Sequence, residues 1–327
     1  MAVLDVDNLR VYYHTLRGPV RAVEGISFQV DTGTGLGLAG ESGCGKTTAA
    51  LAILKILPQG GRIMGGHILY KGKDISKINE TEMRKKIRWK AISVVFQGAM
   101  NALNPVYKVG DQIVESITAH ESNISKKDAK ERVRKLFELV GIDPSRIDNY
   151  PHEFSGGMRQ RALIAMSLSC NPSVLIADEP GTALDVIVQA QILRLLNELK
   201  KKLGLGMILI THDLSIIAET CEKIAIMYAG KIVEYGDVRS VFKNPLHPYS
   251  QGLLSSFPSI KAPKTRMVSI PGQPPDLLHP PSGCRFHPRC KYAMEICKKK
   301  VPSPLKIGEQ VVACHLVTRE NEILSNN

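Results

Sequence analysis

The chain has 327 residues, of which 43% are hydrophobic and 23% charged, and a formal net charge of +12. This length and composition allow a substantial core and two or more domains. No stretch approaches the roughly 20 apolar residues of a membrane-spanning helix, and the first residues lack the basic and apolar regions of a secretory signal. These features exclude an integral membrane protein and predict a protein that stays in the cytoplasm.

The first elements are predicted strands followed by a glycine-rich loop. Residues 2–38 alternate apolar and polar positions, which predicts antiparallel strands. The loop after them matches the pattern G-x-x-x-x-G-K-[ST], whose backbone N–H groups surround a phosphate. Lys46 adds a positive charge, and Thr47 offers a hydroxyl to Mg²⁺. We expect a helix from Ala49 to Leu57, ending at Pro58. The predicted nucleotide contacts in this loop are Gly40, Ser42, Gly43, Cys44, Gly45, Lys46, Thr47 and Thr48.

The next region, residues 98–165, is predicted to be rich in helix. Ser125 with Asp128 three residues later is a capping-box start, and Gly141 ends the helix that follows. Apolar residues recur on one face of this helix at Ala129, Val133, Leu136, Phe137 and Val140.

A second phosphate-binding device is predicted at Ser155, Gly156 and Gly157. A serine N-cap followed by glycines leaves backbone donors free at the positive end of a helix. One nucleotide rarely needs two such sites from a single subunit.

An apolar run that ends in two acids follows, at Val174 to Glu179. It predicts a buried strand of a parallel sheet. Asp178 then lies at the carboxyl end of the strand, where it can hold a metal through water. Glu179, one residue later, could polarise a water that attacks the γ-phosphate. A long helix near residues 186–202, a strand at 206–210 and a hairpin through 228–231 complete this region.

In this order, residues 1–240 resemble the ABC ATPase family. Its signature loop, usually Leu-Ser-Gly-Gly-Gln, completes the ATP site of a partner subunit across a head-to-tail dimer. Here Phe154 replaces the leucine and Met158 the glutamine, while the Ser-Gly-Gly core is intact. A helix-capping Ser/Gly turn without a ligand is the alternative for this segment alone.

The resemblance assigns further residues. Gln97 is similar to the Q-loop glutamine, which contacts Mg²⁺ and relays to the membrane partner, and His212 to the switch histidine on the γ-phosphate. Asp185 matches the D-loop, although Gly181 stands where threonine is more usual. Tyr13 matches the aromatic that stacks on adenine, with Tyr12 as competitor. The resemblance implies Glu179, His212 and Gln97 as catalytic residues.

Residues 243–327 have a different composition. They contain 12 of the 19 prolines, and this density argues against long helices or central strands. They also contain 12 Lys and Arg against 5 Asp and Glu. Four of the seven cysteines lie here, at Cys284, Cys290, Cys297 and Cys314. In a cytosolic protein such a group indicates metal binding rather than disulfides. Four thiolates suit zinc or an iron–sulfur cluster, and the absence of a C-x₂₋₄-C pair disfavours zinc. Metal-free thiols are the alternative.

This tail resembles that of oligopeptide and dipeptide importer ATPases. The similar segments are Cys284 to Cys290, Ala293, Cys297, Val312 to Leu316, Asn244 to Tyr249, Pro271 to Pro275 and Leu103 to Pro105. The resemblance implies a four-iron four-sulfur cluster on the four cysteines, with zinc as the alternative.

The predicted fold class is α/β, a P-loop NTPase (ABC ATPase) core with an antiparallel β subdomain, a helical insert at about 98–165 and a small irregular Cys/Pro-rich C-terminal lobe. The predicted domains are 1–242, the ABC ATPase, and 243–327, the C-terminal domain. We expect ATP and Mg²⁺ as cofactors and peripheral attachment to the cytoplasmic face of the cell membrane.

The resemblance implies an ATPase subunit of a peptide importer, with two transmembrane permease subunits, a second ATPase subunit (a paralogue or a second copy) and, indirectly, an extracytoplasmic solute-binding protein. Residues 98–112 are the predicted surface for the permease. The alternatives are an importer of nickel or a glycan, and a soluble ABC ATPase that acts on nucleic acid. No nucleic acid is expected as a partner, because the chain has one cassette and no nucleic-acid module.

Overall fold

The structure is a computed structural model, and it describes residues 2–96, 98, 102–255 and 270–318. The chain divides into two compact units. The first unit comprises Met1–Val3, Val30–Gly35 and Lys77–Leu209, and the second comprises Leu4–Gln29, Leu36–Ser76 and Ile210–Asn327. Both units are therefore assembled from separate stretches of the chain.

Strands and helices alternate along most of the chain. The strands are β1 (Ala2–Thr15), β2 (Gly18–Asp31), β3 (Gly35–Ala39), β4 (Gly61–Tyr70), β5 (Lys73–Asp74), β6 (Ile92–Val95), β7 (Val174–Asp178), β8 (Gly206–Ile210), β9 (Lys223–Tyr228), β10 (Lys231–Asp237), β11 (Leu305–Ile307) and β12 (Gln310–Val312). The helices are α1 (Lys46–Ile53), α2 (Glu80–Glu82), α3 (Val109–His120), α4 (Lys126–Leu139), α5 (Gly156–Leu168), α6 (Val186–Leu203), α7 (Leu214–Thr220), α8 (Val238–Lys243), α9 (Pro248–Ser255) and α10 (Glu295–Lys299).

The second unit contains two groups of strands. One is a four-stranded sheet in the order β2-β1-β4-β5, in which β1 pairs antiparallel with β4. The other runs β11-β12-β10-β9-β3 and combines a parallel pair, β3 with β9, with antiparallel pairs. All five residues of β3 are buried, as expected of a parallel strand that is covered on both faces.

The first unit contains strands β6, β7 and β8 and the helices α3 to α6. Strands β6 and β7 are parallel and almost wholly apolar. The helices pack through fully buried side chains, among them Ile113 and Ile117 of α3 and Val133 and Phe137 of α4. The helix-rich character predicted for residues 98–165 is confirmed over the part of that range that the structure describes.

Most sequence-predicted elements are present, and two differ. Helix α1 begins at Lys46 and ends at Ile53 rather than running from Ala49 to Leu57, because Lys55 adopts a φ of 52° that an α-helix cannot continue. Strand β3, expected to be antiparallel, is parallel to β9. The proline-rich tail lacks long helices among its described residues, yet β12 pairs with β10 and extends the sheet.

Candidate functional site

The predicted phosphate loop connects β3 to α1, both within the second unit apart from Gly35. Gly40 and Gly45 have φ values of 145° and 106°, which only glycine adopts readily. A Cβ at Gly40 would lie 2.1 Å from the carbonyl oxygen of Met227, and one at Gly45 would lie 2.3 Å from that of Ala22. Both positions therefore require glycine for conformation and for space.

Lys46 and Thr47 occupy the first turn of α1. The Lys46 side chain is buried and folds back over the loop, where Nζ donates to the carbonyl oxygens of Gly40 at 2.7 Å and Glu41 at 3.1 Å. The N-terminal N–H groups of this helix and the ammonium group make the loop attractive to an anion. Thr47 is exposed beside them.

Cys44 lies inside the same loop and is buried. Burial raises the pKa of its thiol, and the neighbouring Lys46 acts in the opposite direction. Cys44 is therefore a neutral, small packing residue of the loop at physiological pH.

Tyr13 lies next to the loop, whereas Tyr12 has another partner. The Tyr13 hydroxyl is 3.3 Å from the Thr48 Oγ1 atom. The Tyr12 hydroxyl donates to the Glu24 carboxylate at 2.8 and 2.9 Å. Tyr13 is thus a half-buried aromatic ring beside the phosphate loop, and its stacking on adenine stays a prediction.

In the first unit, Asp178 is the last residue of β7 and is buried. Glu179 follows with a φ of 45°, so the chain turns sharply at the end of the strand. The Glu179 carboxylate accepts a hydrogen bond of 3.0 Å from the Thr182 hydroxyl, and its carbonyl oxygen accepts one of 3.1 Å from the Thr182 N–H. These bonds fix the orientation of the carboxylate just beyond the strand.

Asp185 is the N-cap of α6 and accepts a hydrogen bond of 2.9 Å from the Val188 N–H. A Cβ at Gly181, the departure from the usual D-loop, would lie 2.4 Å from the Gln189 Cγ atom. The glycine is therefore required by the close approach of α6 to this turn.

Ser155 caps α5 as the sequence predicts, and its Oγ accepts from the Met158 N–H at 3.3 Å. Gly156 and Gly157 form the first turn, and a Cβ at Gly157 would lie 2.7 Å from the Val188 Cγ1 atom. Phe154 is buried, and its ring meets that of Phe137 edge-on at 6.4 Å. Phe154 therefore fills an apolar site of the helical region rather than altering the serine cap.

Two further residues of the predicted ATP site are Gln97 and His212. Gln97 lies outside the described residues. His212 is exposed, two residues beyond β8, and belongs to the second unit. The second unit thus contains Tyr13, the phosphate loop and His212, and the first contains Asp178, Glu179, Asp185 and the Ser155–Gly157 turn.

The metal centre predicted on the four tail cysteines is not confirmed. Among the residues that the structure describes, no group of three or more His, Cys, Asp or Glu could hold a metal ion. The thiols are close enough to influence one another: burial first, and then the other three thiols, raise the pKa of Cys284 to about 11. The Cys284 N–H also donates to the Cys297 carbonyl oxygen at 2.8 Å. The side chains are neighbours without forming a ligand set.

One loop residue was missed by reasoning from the sequence. Glu41 carries a negative charge inside a loop built for anions, and its carboxylate is paired with Arg289. A carboxylate at such a position needs a cation, and this requirement is the signal that could have directed attention to a distant arginine.

The parallel strand, the glycine-rich loop and the helix that starts at a lysine define a P-loop nucleotide-binding protein. Residues 23–182 match the family described as "ABC transporter", and residues 233–297 match the "Oligopeptide/dipeptide transporter, C-terminal region". The chain belongs to the family of ABC transporter ATP-binding proteins.

Similar proteins span nearly the whole chain. The "Dipeptide transport ATP-binding protein DppD" of Caldanaerobacter subterraneus subsp. tengcongensis is 46% identical over 316 residues, which are 96% of this chain and 97% of that protein. The "Oligopeptide transport ATP-binding protein OppD" of Escherichia coli is 48% identical over 303 residues, 92% of this chain and 89% of that protein. The structure of cbiO1 from Clostridium perfringens, part of the ABC transporter complex cbiONQ, is similar with a TM-score of 0.63 and 28% identity, over 74% of this chain and 91% of that chain.

None of the described helices is both long enough and apolar enough to cross a membrane.

Proposed function

We propose that this chain is the ATP-hydrolysing subunit of a membrane importer for dipeptides and oligopeptides. The observation that carries the proposal is the succession of two matches, an ABC transporter segment at 23–182 and an oligopeptide/dipeptide transporter C-terminal segment at 233–297. Relatives that align with more than nine-tenths of the chain are named dipeptide or oligopeptide transport ATP-binding proteins, which supports the same solute class.

In the proposed reaction the phosphates of ATP bind to the loop from Gly40 to Thr48. The loop glycines keep the backbone free of side chains, and Lys46 is the cation of the loop. Tyr13, next to Thr48, supplies the ring that stacks on adenine. Thr47, with Gln97 and Asp178, would hold Mg²⁺, which when bound neutralises charge on the phosphates. The hydroxyl, amide and carboxylate oxygens of these residues are the donors that Mg²⁺ accepts.

Glu179 is the proposed general base for the water that attacks the γ-phosphate, and His212 the residue that contacts that phosphate. The hydrogen bond from Thr182 holds the Glu179 carboxylate in one orientation, which supports this role. Ser155, Gly156 and Gly157 would contact the ATP of a second ATPase subunit through the helix N-terminus, with Asp185 beside that interface.

The proposed assembly contains two ATPase subunits, this chain and a paralogue or second copy, and two transmembrane permeases. An extracytoplasmic solute-binding protein acts through the permeases. The chain would then sit on the cytoplasmic face of the membrane. The net charge of +12 suits a surface that carries anionic lipids. Residues 98–112, which include the exposed Val106 and Tyr107, are the proposed permease contact.

The four-iron four-sulfur cluster stays a prediction, with zinc as its alternative. Its support is the resemblance of the tail and the closeness of the thiols, since burial first, and then the neighbouring cysteines, raise the pKa values of Cys284 and Cys290. No step of the proposed reaction depends on it. Iron, sulfide and zinc content of protein purified without oxygen tests it: about four irons and four sulfides per chain would establish the cluster, and metal-free protein would remove it.

Co-purification and uptake test the function. A tagged chain is isolated from detergent-solubilised membranes, its partners are identified by mass spectrometry, and uptake of a labelled tripeptide is measured in cells that carry the wild-type chain or Lys46→Ala. We expect two permeases in the isolate and loss of tripeptide uptake with Lys46→Ala. Loss of nickel or glycan uptake instead would show that the transported solute is nickel or a glycan. Recovery with RNA and without permeases would replace the importer with the nucleic-acid alternative.

A further inference from the structure

Glu41 lies inside the phosphate loop, between Gly40 and Ser42, and its carboxylate is held by an arginine from the tail. The Arg289 Nη1 atom is 2.6 Å from Glu41 Oε2, and Nη2 is 2.9 Å from Oε1. The two planar groups meet in a bidentate pair, the arrangement that gives an arginine–carboxylate contact its strength and directionality. The Arg289 side chain is only 6% exposed, so solvent screens this pair weakly.

The position of Arg289 is itself fixed from the tail side. Its Nε donates to the Pro271 carbonyl oxygen at 2.7 Å, and its guanidinium lies over the Tyr228 ring at 5.7 Å. With its donors shared between backbone oxygens and a carboxylate, the guanidinium has one orientation. Arg289 is therefore held in a fixed orientation in which its guanidinium binds the Glu41 carboxylate.

A second contact reaches the same loop residue. The Glu41 N–H donates to the Tyr249 hydroxyl at 3.0 Å. Tyr249 is fully buried and packs against Tyr228 and Phe286, with ring centroids 4.7 and 5.4 Å away. The tail thus holds both the backbone and the side chain of Glu41.

Glu41 passes this constraint to the lysine of the phosphate loop. Its carbonyl oxygen accepts a hydrogen bond of 3.1 Å from Lys46 Nζ and one of 3.3 Å from the Cys44 N–H. A displacement of Glu41 would therefore move the groups that are proposed to receive the phosphates of ATP.

Charge adds a second effect. A carboxylate without a counter-ion at this place would repel the phosphates of ATP, whereas a carboxylate paired with a guanidinium is close to neutral as seen from the loop. Resting on the proposed ATP-binding function, we propose that Arg289, supported by Tyr249, is a positioning residue of the ATP site that orients Glu41 and cancels its charge. The tail is then a working part of the nucleotide site as well as a neighbour of it.

The affinity of three variants for MgATP tests this inference. Arg289→Met keeps the aliphatic stem and leaves the Glu41 charge unpaired, and we expect MgATP to bind about tenfold more weakly. The double variant Arg289→Met with Glu41→Gln removes both charges and recovers most of this loss. Arg289→Lys, which keeps the charge without the fork, falls between Arg289→Met and the wild type. The Glu41 side chain is 27% exposed, so added salt screens the unpaired carboxylate of Arg289→Met and narrows the difference in MgATP affinity between this variant and the wild type.

Arg285→Met is the matched control. Arg285 is a buried arginine of the same segment, and its guanidinium contacts the Ala229 carbonyl oxygen and the Glu24 carboxylate rather than a residue of the phosphate loop. We expect this variant to keep the wild-type affinity for MgATP even where its melting temperature is lowered.

Several results would overturn the inference. Wild-type affinity in folded Arg289→Met would do so, as would an equal loss in Arg285→Met, which would indicate general disturbance of the tail. If Arg289→Met does not fold, the MgATP affinities of Arg289→Lys and the double variant are compared with that of the wild type. Wild-type affinity in Arg289→Lys would then overturn the inference. Lys46→Ala separates the two proposals. If the wild type binds no MgATP, or Lys46→Ala binds it as tightly as the wild type does, the proposed function fails. If Lys46→Ala loses affinity for MgATP while Arg289→Met keeps the wild-type affinity, only this inference fails.

Discussion

The ammonium group of Lys46 donates a hydrogen bond of 2.7 Å to the carbonyl oxygen of Gly40, so the lysine lies folded over the loop that it helps to form. Its charge is held at the place where an anion would meet the N-terminal N–H groups of α1. Lys46→Ala should therefore lower the affinity for MgATP by at least about 100-fold, which equilibrium titration with a fluorescent nucleotide measures.

Lys55→Ala is the control for this change. Lys55 follows α1, and its Nζ donates to the Ser76 carbonyl oxygen at 3.1 Å, away from the loop. We expect wild-type affinity in this variant. Equal affinity in Lys46→Ala and the wild type would show that the loop does not bind the phosphates.

The loop glycines give a contrast between two similar substitutions. Gly45→Ala places a Cβ 2.3 Å from the Ala22 carbonyl oxygen at a φ of 106° and should lower the free energy of unfolding by about 2 kcal/mol or more. Gly43→Ala has a φ of 76° with no atom within 4 Å of the new Cβ, and about 1 kcal/mol is expected from the backbone alone. Denaturant unfolding compares them. A larger loss in Gly43→Ala would contradict the loop geometry.

Local signals predicted the parts of the fold that local interactions determine. The capping pair Ser125 and Asp128 marks the start of α4, and the turn through Ala229 and Gly230 joins β9 to β10. The residues of these features are near one another in sequence, so periodicity, capping and turn chemistry identify them.

The parts that were missed depend on distant contacts. Strand β3 pairs in parallel with β9, which follows nearly 200 residues later in the chain. The charge of Glu41 is matched by Arg289 from the tail. Nothing in the neighbouring sequence specifies either partner. The metal centre on the four cysteines stays a prediction, since the spacing of cysteines does not determine how their thiols are oriented.

The Phe154 ring should be a stabilising element of the helical region. It is buried against Phe137, so Phe154→Ala should lower the free energy of unfolding by about 3 kcal/mol. Phe154→Leu keeps most of the apolar volume and should cost less than about 1.5 kcal/mol. Urea unfolding followed by circular dichroism measures both. Equal stability of Phe154→Ala and the wild type would contradict the packing.

His247 should make the stability of the protein depend on pH. Its ring is fully buried and accepts a hydrogen bond of 3.0 Å from the Tyr249 N–H, and burial lowers its pKa to about 3 from the usual 6.5. Below pH 6.5 the unfolded chain therefore binds a proton that the folded chain excludes. The free energy of unfolding should fall as the pH decreases from about 6.5 towards 3.

His247→Asn isolates this contribution. The amide oxygen can accept the same hydrogen bond, and asparagine does not titrate. Nearby Glu234, whose pKa is raised by burial, is common to both chains, so the difference between their pH slopes reports His247. Urea unfolding at pH 7.5, 6.5, 5.5 and 4.5 should give a shallower slope in the variant. Identical slopes would mean that His247 binds its proton in the folded state.

The most direct test of the central claim is the rate of phosphate release from MgATP by the complex isolated from membranes, with the wild-type chain or with Glu179→Gln. Glutamine keeps the shape of Glu179 and the contact with Thr182 but cannot accept the proton of the attacking water. We expect release to be at least about 100-fold slower in the variant while ATP stays bound. Phosphate release at the wild-type rate would contradict the assignment of Glu179 as the base of an ATP-hydrolysing transport subunit.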